Sequence, residues 1–515
     1  MSIYEIDRDS DTPLYIQIHN NIENAICDGE LKPGDKLPAV ANLAKEIGVT
    51  QATVRRALKD LSSAGRTSCH VGRGTFIIDD EEGEGHKQDD QSNSTDRFPD
   101  YDGVVARNPK QYATRRLRMG ASKALSDIMS LKHRPGIIHL TSGVPDPGLL
   151  PEDLFSEVVM DTLAKGSAQY VEATPPLGML ELREEVAKRF STERMSVCAD
   201  QVLITNGSLQ AATLIAESGL EKKRDVVFET PCFKGMIDTF AAMGHWVETV
   251  PRDHEGPIIE KLENFSKSGS SLFYLCPYAH NPMGTNLSSG RYDELVIWAK
   301  KSGSIVVADE IFKDMGYEKT VQPSIMESLG DEQTIVISSL SKSVMTGLRV
   351  GWLISSKKRI RRIAQFKRLM DHSCPTFVQG MALSLFQSGK FDDHTERMRA
   401  LYKKRMDIML RSLEKLMPKE VTWSEPDGGF SLLVELPKGY SSVALFLSAI
   451  EKGVSFLPGP LFDIDQRYVN TFRLSTAWAD TNQIKEGVEL LADAVDEFMS
   501  HPPGDSGLSG LGSYQ

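Results

Sequence analysis

The chain has 515 residues, more than one hydrophobic core usually serves, so two or three domains are expected. Hydrophobic residues make up 40% and charged residues 25%, the balance of an ordinary soluble globular protein. The net charge of −12 argues against a general nucleic-acid coat and leaves room for a small local DNA-reading surface.

The start, MSIYEIDRDSDTP, is polar and lacks an apolar core, so no signal peptide is expected. Residues 11–78 read as three short helices and a hairpin. Leu14, Ile18, Ile22 and Ile26 recur every four residues and give one apolar helix face, which Gly29 ends. LKPGDKLP is a turn-rich connector. Val40, Leu43, Ala44 and Ile47 line a second helix closed by Gly48. Thr50 can cap a third, with Val54, Ala57, Leu58 and Leu61 turned inward. TSCHVGRGTFII predicts two short strands around Gly72 and Gly74. Residues 79–118 begin with DDEEGEGHKQDDQSNSTDR, too poor in apolar side chains to fold, and are read as an acidic flexible linker.

From 119 to 498, short β-rich runs (QVLITNG, DVVFETP, SLFYLCP, SIVVADE, TIVISSL, RVGWLIS) alternate with helical stretches. This pattern predicts an α/β domain with a mostly parallel sheet covered on both faces. Residues 499–515 are Gly- and Ser-rich and are expected to be a disordered tail. The six cysteines form no C-x-x-C pair, so neither a zinc site nor a disulfide framework is expected, and no other metal site is read. Scattered cysteines fit a reducing cytoplasm. No apolar stretch is long enough to span a bilayer, so no membrane association is expected.

The strongest chemical signal is SSLSKSVMTGLRVGW, Ser338–Trp352. A Schiff-base lysine needs a desolvated, positioned amine beside an anion site for a cofactor phosphate. Lys342 follows an apolar strand, has Ser339 and Ser341 beside it, and has Arg349 seven residues on to pair with phosphate oxygens. A lone lysine would be read as a surface residue; the rest of the run decides otherwise.

That run resembles the lysine motif of fold-type I enzymes that use pyridoxal 5′-phosphate (PLP), the aspartate aminotransferase superfamily. The resemblance covers most of 119–498, in the family's chain order. It implies a large subdomain and a small one. SGVPDP (Ser142–Pro147) resembles the loop at the site's entrance. In YVEATPPLGMLELREEVAKRF, Tyr170 stands where the family's tyrosine reaches the partner subunit's phosphate, which implies a homodimer. ITNGSLQA resembles the phosphate-binding turn into a helix and implies Ser208 and Leu209 as contacts. Further on, the resemblance gives Phe233 the ring stacked on the pyridine, Asn281 a bond to the phenolic oxygen, and Asp309 the charge that keeps the pyridine nitrogen protonated. Arg473 in FRLSTAW matches the clamp on a substrate carboxylate. Phe312 departs from the family's D-x-x-Y pattern and cannot donate to the phenolic oxygen, which bears on transaminase efficiency.

Residues 13–65 resemble the GntR-type winged helix-turn-helix, an α+β fold, and VGRGTFI resembles its wing. The resemblance implies double-stranded DNA as a partner, with Thr50, Gln51, Thr53, Arg55 and Arg56 on the recognition helix and Arg73 on the wing. Five basic residues between 50 and 75 face one acidic residue, Asp60. Ala41 and Gln51 stand where the family usually carries DNA-contacting arginines. The joined pattern resembles MocR-type regulators, in which an amino acid, an amine or PLP is sensed at the aminotransferase-like site. Two other readings are a working aminotransferase with a residual winged helix and a scaffold that binds neither ligand. The missing arginines favour the aminotransferase, and Phe312 favours the regulator.

Overall fold

In the computed structural model of the chain, the described residues are 14–27, 30–32, 34–51, 53–54, 57–58, 61, 67–70, 74–77, 136–166, 170–218, 226–266, 271–318 and 322–501. The linker reading, the first residues of the 119–498 reading and nearly all of the tail reading fall outside them. The chain divides into two compact units, Met1–Asp100 and Tyr101–Gln515.

In the first unit, α1 (Leu14–Cys27), α2 (Val40–Ile47) and the helical residues of 51–61 enclose a core of Ile18, Ile22, Leu43, Val54, Leu58, Leu61 and Ile77. Gly48 ends α2 in the left-handed region at φ 75°, with its N–H on Ala44 O, a conformation glycine adopts without strain. Thr50 Oγ1 accepts the Thr53 N–H at 3.2 Å, the cap expected from sequence. β1 (Thr67–His70) and β2 (Gly74–Ile77) pair antiparallel. The connector adds to this hairpin through the Leu37 N–H on Thr75 O, which its turn-rich sequence does not announce.

The second unit holds a seven-stranded sheet. Its strands are β4 (Val202–Thr205), β5 (Val226–Thr230), β6 (Val247–Pro251), β7 (Leu272–Leu275), β8 (Ile305–Asp309), β9 (Thr334–Ser339) and β10 (Gly351–Ile354), in the order β4-β10-β9-β8-β7-β5-β6. Only β10 runs against its neighbours; β9, β8, β7, β5 and β6 pair parallel in succession. β4, β5, β7, β8 and β9 are buried throughout, as strands covered on both faces must be. β3 (Ile138–His139) pairs with 454–455, and an antiparallel sheet of 422–423, 431–435, 471–475 and 457–458 forms a smaller layer with its own core.

Helices alternate with these strands. Between β3 and β10 they are α3 (Glu152–Ala164), α4 (Leu180–Phe190), α5 (Ser208–Ser218), α6 (Lys234–Ala242), α7 (Ile259–Ser266), α8 (Ser289–Ser302) and α9 (Ile325–Leu329). α10 (Lys357–Met370), α11 (Thr376–Gln387), α12 (Lys390–Leu416), α13 (Ser442–Lys452) and α14 (Thr481–Met499) follow. No helix among the described residues is long and apolar enough to cross a membrane.

Candidate active site

The carboxyl ends of β4, β5, β7, β8 and β9 lie on one edge of the sheet, where open α/β folds bind ligands. A concave pocket opens there. Ser208, Leu209, Phe233, Asn281, Asp309, Ser341, Lys342 and Arg349 all line it. Eight residues read from five separate stretches of sequence thus converge on one space.

Lys342 leaves β9 through Leu340 and Ser341, and its Nζ donates to Gly143 O at 2.5 Å, which ties the 142–147 loop to the site. Its amine is lowered to about 8, chiefly by burial and then by the Arg473 and Arg349 charges, with Asp309 opposing. Asp309 ends β8. Burial pushes its carboxyl up to about 6 against hydrogen bonds from Tyr274 Oη (2.6 Å) and Ile311 N (3.2 Å).

Arg473 reaches the site from the small antiparallel sheet. Its Nη1 donates to Asn281 Oδ1 at 2.9 Å and its Nη2 to Thr141 O at 2.5 Å. Its Nε is buried and has no partner among the described residues, and burial lowers the guanidinium to about 10. Phe312 is buried in the cavity wall, edge-on to Phe430 at 5.4 Å.

The turn between β4 and α5 is shaped by Arg349, whose Nη2 donates to Asn206 O at 2.9 Å. Gly207 has φ 87°, and a Cβ there would lie 2.6 Å from that same Nη2, so only glycine lets the guanidinium approach. The first N–H groups of α5, at Ser208 and Leu209, have no protein acceptor among the described residues. Behind this turn lies a clamp between the buried Lys367 and the half-buried Asp371. Lys367 Nζ is 2.6 Å from Asp371 Oδ1, and Asp371 Oδ2 accepts Asn206 Nδ2 (2.9 Å) and Gln210 Nε2 (2.6 Å).

Two expected cofactor residues do not line the cavity. Ser339 Oγ is bound to Ser341 Oγ and Val350 O, both at 2.9 Å, so it props Ser341 instead of facing the space. Tyr170 packs edge-on against Phe377 at 5.9 Å. On the first unit, Thr50 and Gln51 are exposed and Thr53 is half-buried, while Arg55, Arg56 and Arg73 lie outside the described residues. The sequence reading missed Tyr274, Cys232 and Cys276, which also line the cavity. A polar aromatic inside the apolar run LFYL was the one available signal for Tyr274. No metal-binding cluster is present among the described residues.

These residues fit a phosphorylated aldehyde cofactor. Free N–H groups at a helix N-terminus, the Ser341 hydroxyl and the Arg349 guanidinium suit a phosphate dianion. A lysine amine lowered towards neutrality and a buried carboxylate stand in the same cavity. Residues 136–491 match the family "aminotransferase class I and II", to which the chain belongs, and residues 14–77 match the "bacterial regulatory proteins, gntR family". Pyridoxal phosphate is the cofactor of this aminotransferase class. The chain is 28% identical to the uncharacterized HTH-type transcriptional regulator YdfD of Bacillus subtilis, over 97% of this chain and all of that protein. It is 32% identical to the 2-aminoadipate transaminase of Thermus thermophilus, over 74% of this chain and 95% of that one. Among solved structures it resembles LysN, an alpha-aminoadipate aminotransferase of Thermus thermophilus complexed with N-(5′-phosphopyridoxyl)-L-leucine. That similarity has a TM-score of 0.67 and 30% identity, and covers 74% of this chain and 99% of that one.

Proposed function

We propose that the chain is a PLP-binding transcriptional regulator. Residues 14–77 read double-stranded DNA, and the cavity at Lys342 senses an amino acid, an amine or PLP itself. The observation that carries this reading is the fusion, in one chain, of a gntR match to a complete lysine-centred cavity. A regulator-named relative, matched over its whole length, has its similarity spread over both parts.

Lys342 holds the cofactor. Ser208, Leu209, Ser341 and Arg349 bind its phosphate, with Ser339 positioning Ser341. Phe233 covers the ring, Asn281 faces the phenolic oxygen and Asp309 the ring nitrogen. Bound PLP supplies an electron sink for chemistry at the carbon bearing a ligand's amine. Arg473 takes a ligand carboxylate. Tyr170, which does not line its own cavity, serves the phosphate of a partner subunit in a homodimer. Thr50, Gln51, Thr53, Arg55, Arg56 and Arg73 contact DNA. The acidic segment 79–118 links the reader to the sensor, residues 119–498, and the protein works in the cytoplasm. Ligand binding shifts an equilibrium felt by the readers only through a difference in affinity between two states.

The test adds amino acids and amines singly to the PLP-loaded protein. It follows the absorbance of bound PLP and, in parallel, binding to the protein's own upstream DNA. A ligand that changes both is the expected result. If neither that DNA nor a genomic selection yields a preferred site, and turnover to keto acids is seen instead, the reading gives way to an aminotransferase.

A further inference from the structure

Helix α10 carries seven basic residues and no acidic one in fourteen positions, in a chain whose net charge is −12. With about 100° between successive residues, Ile360, Ile363, Ala364 and Lys367 fall on one arc, and these are the buried ones. Lys358 and Arg362 fall opposite that arc, and Lys357, Arg361 and Arg368, within about 40° of one another, flank them on one side. All five are exposed. Arg361, Arg362 and Arg368 form no ion pair among the described residues, and Lys357 has a single distant partner, Asp200 at 4.0 Å. Exposed basic helix positions are commonly offset by acidic residues three or four places away; the one such residue here, Asp371 at the end of α10, is paired with Lys367.

We propose that this arc is a second nucleic-acid surface, one that binds the phosphate backbone of duplex DNA. It rests on the DNA-binding reading of residues 14–77 and adds a contact that the reader match does not contain. Guanidinium groups suit phosphate oxygens through paired N–H donors. From Lys357 to Arg368 the arc runs about 16 Å along the helix axis, long enough to meet several phosphates of one strand. A membrane surface fits less well. An interfacial helix inserts a continuous apolar face, whereas Ile360, Ile363 and Ala364 of α10 are buried against its own domain and only Leu369 and Met370, at its last turn, are exposed large apolar side chains.

The experiment compares wild type with the triple variant Arg361→Ala, Arg362→Ala, Arg368→Ala, as full-length PLP-loaded protein. Binding is measured over a range of salt concentrations on a long duplex carrying the upstream DNA. Each phosphate contact contributes about 0.9 to the slope of log affinity against log salt, so the variant's slope should be shallower by about two to three. Its preference for upstream over random duplex and its PLP absorbance should be unchanged, since the three arginines belong neither to residues 14–77 nor to the cavity lining. The matching triple arginine-to-lysine variant should keep most of the slope. An unchanged slope in the alanine variant, with wild type binding well, overturns this proposal alone. A wild type that binds no duplex overturns the reader assignment and this proposal together. Loss of binding to phosphatidylserine vesicles, with the DNA slope intact, would give the arc to anionic membranes and overturn it as well.

Discussion

The Tyr274 hydroxyl donates a 2.6 Å hydrogen bond to Asp309 Oδ2 at the floor of the cavity. Both groups are buried. Burial and the Asp309 charge push the Tyr274 hydroxyl well above its usual range, so it stays protonated and acts as the donor. The bond works against the desolvation that holds the Asp309 carboxyl at about 6. Tyr274→Phe keeps the ring packed on Phe228, 4.8 Å away, and removes only the donor. Hydrogen bonds to charged groups contribute about 1.5–3 kcal/mol, so PLP affinity at neutral pH should fall about ten- to a hundredfold. Without the donor the Asp309 carboxyl titrates above 6, and PLP affinity should recover as the pH rises through the new value. Titration of the apo-protein with PLP across this range checks it. A loss equal at every pH would count against the role.

The Lys342 amine gives a second pH dependence. Its conjugate acid is held near 8, mainly by burial, whereas an unperturbed lysine titrates about 10.4. Below 8 the amine carries a proton and cannot attack an aldehyde. The rate of PLP uptake by the apo-protein should therefore rise with pH up to about 8 and then level off. A rate still climbing towards the ordinary lysine value would show an amine that is not desolvated. Lys342→Ala should leave a folded protein with no borohydride-stable PLP adduct, checked by mass spectrometry.

Lys367 and Asp371 should govern phosphate recognition without touching the cofactor. Asp371 holds both Asn206 and Gln210, and the Asn206 carbonyl holds Arg349. Asp371→Ala leaves the buried Lys367 ammonium without its partner, so it should lower the melting temperature. Asp371→Asn keeps the side chain's shape and is the gentler variant. In it, PLP affinity should fall about tenfold, the worth of a hydrogen bond or two. Affinity for pyridoxal, which lacks the phosphate, should barely change. Equal losses for both ligands would make the pair a structural prop only.

These relationships differ in how far the sequence could show them. The central strands were legible because each is a short apolar run ended by turn residues, and Lys342 because serines, glycines and an arginine surround it. β6 was not, since its run VETVP is only partly buried and carries a charge. Lys367 sits in KKRIRRIAQFKRLM, where any lysine reads as solvated. Only the helix's orientation puts that one position on the buried arc. Arg473 and Asn281 are 192 residues apart, and no local pattern could announce their 2.9 Å contact. The bond of the Ser339 hydroxyl to the Val350 carbonyl, 11 residues on, was hidden for a similar reason.

The chemical class of the sensed ligand can be read through Arg473. Its guanidinium is lowered to about 10, so it is fully cationic at neutral pH, and its buried Nε has no partner among the described residues. The side chain is held by Asn281 and Thr141 and lies over the Phe462 ring at 5.4 Å. An α-carboxylate would meet a fixed, desolvated cation there, whereas an amine without a carboxylate would not use it. Charge-assisted hydrogen bonds of this kind contribute about 1.5–3 kcal/mol. In Arg473→Gln, the amino acid concentration needed to change the PLP absorbance should therefore rise about ten- to a hundredfold, with amines nearly unaffected. Absorbance titrations of wild type and variant with an amino acid and its decarboxylated amine make the comparison within one protein. If the two ligands weaken alike, Arg473 acts by holding Asn281 in place and the carboxylate clamp is wrong. If only the amino acid weakens, and DNA binding responds to that amino acid in wild type alone, the sensed ligand carries a carboxylate.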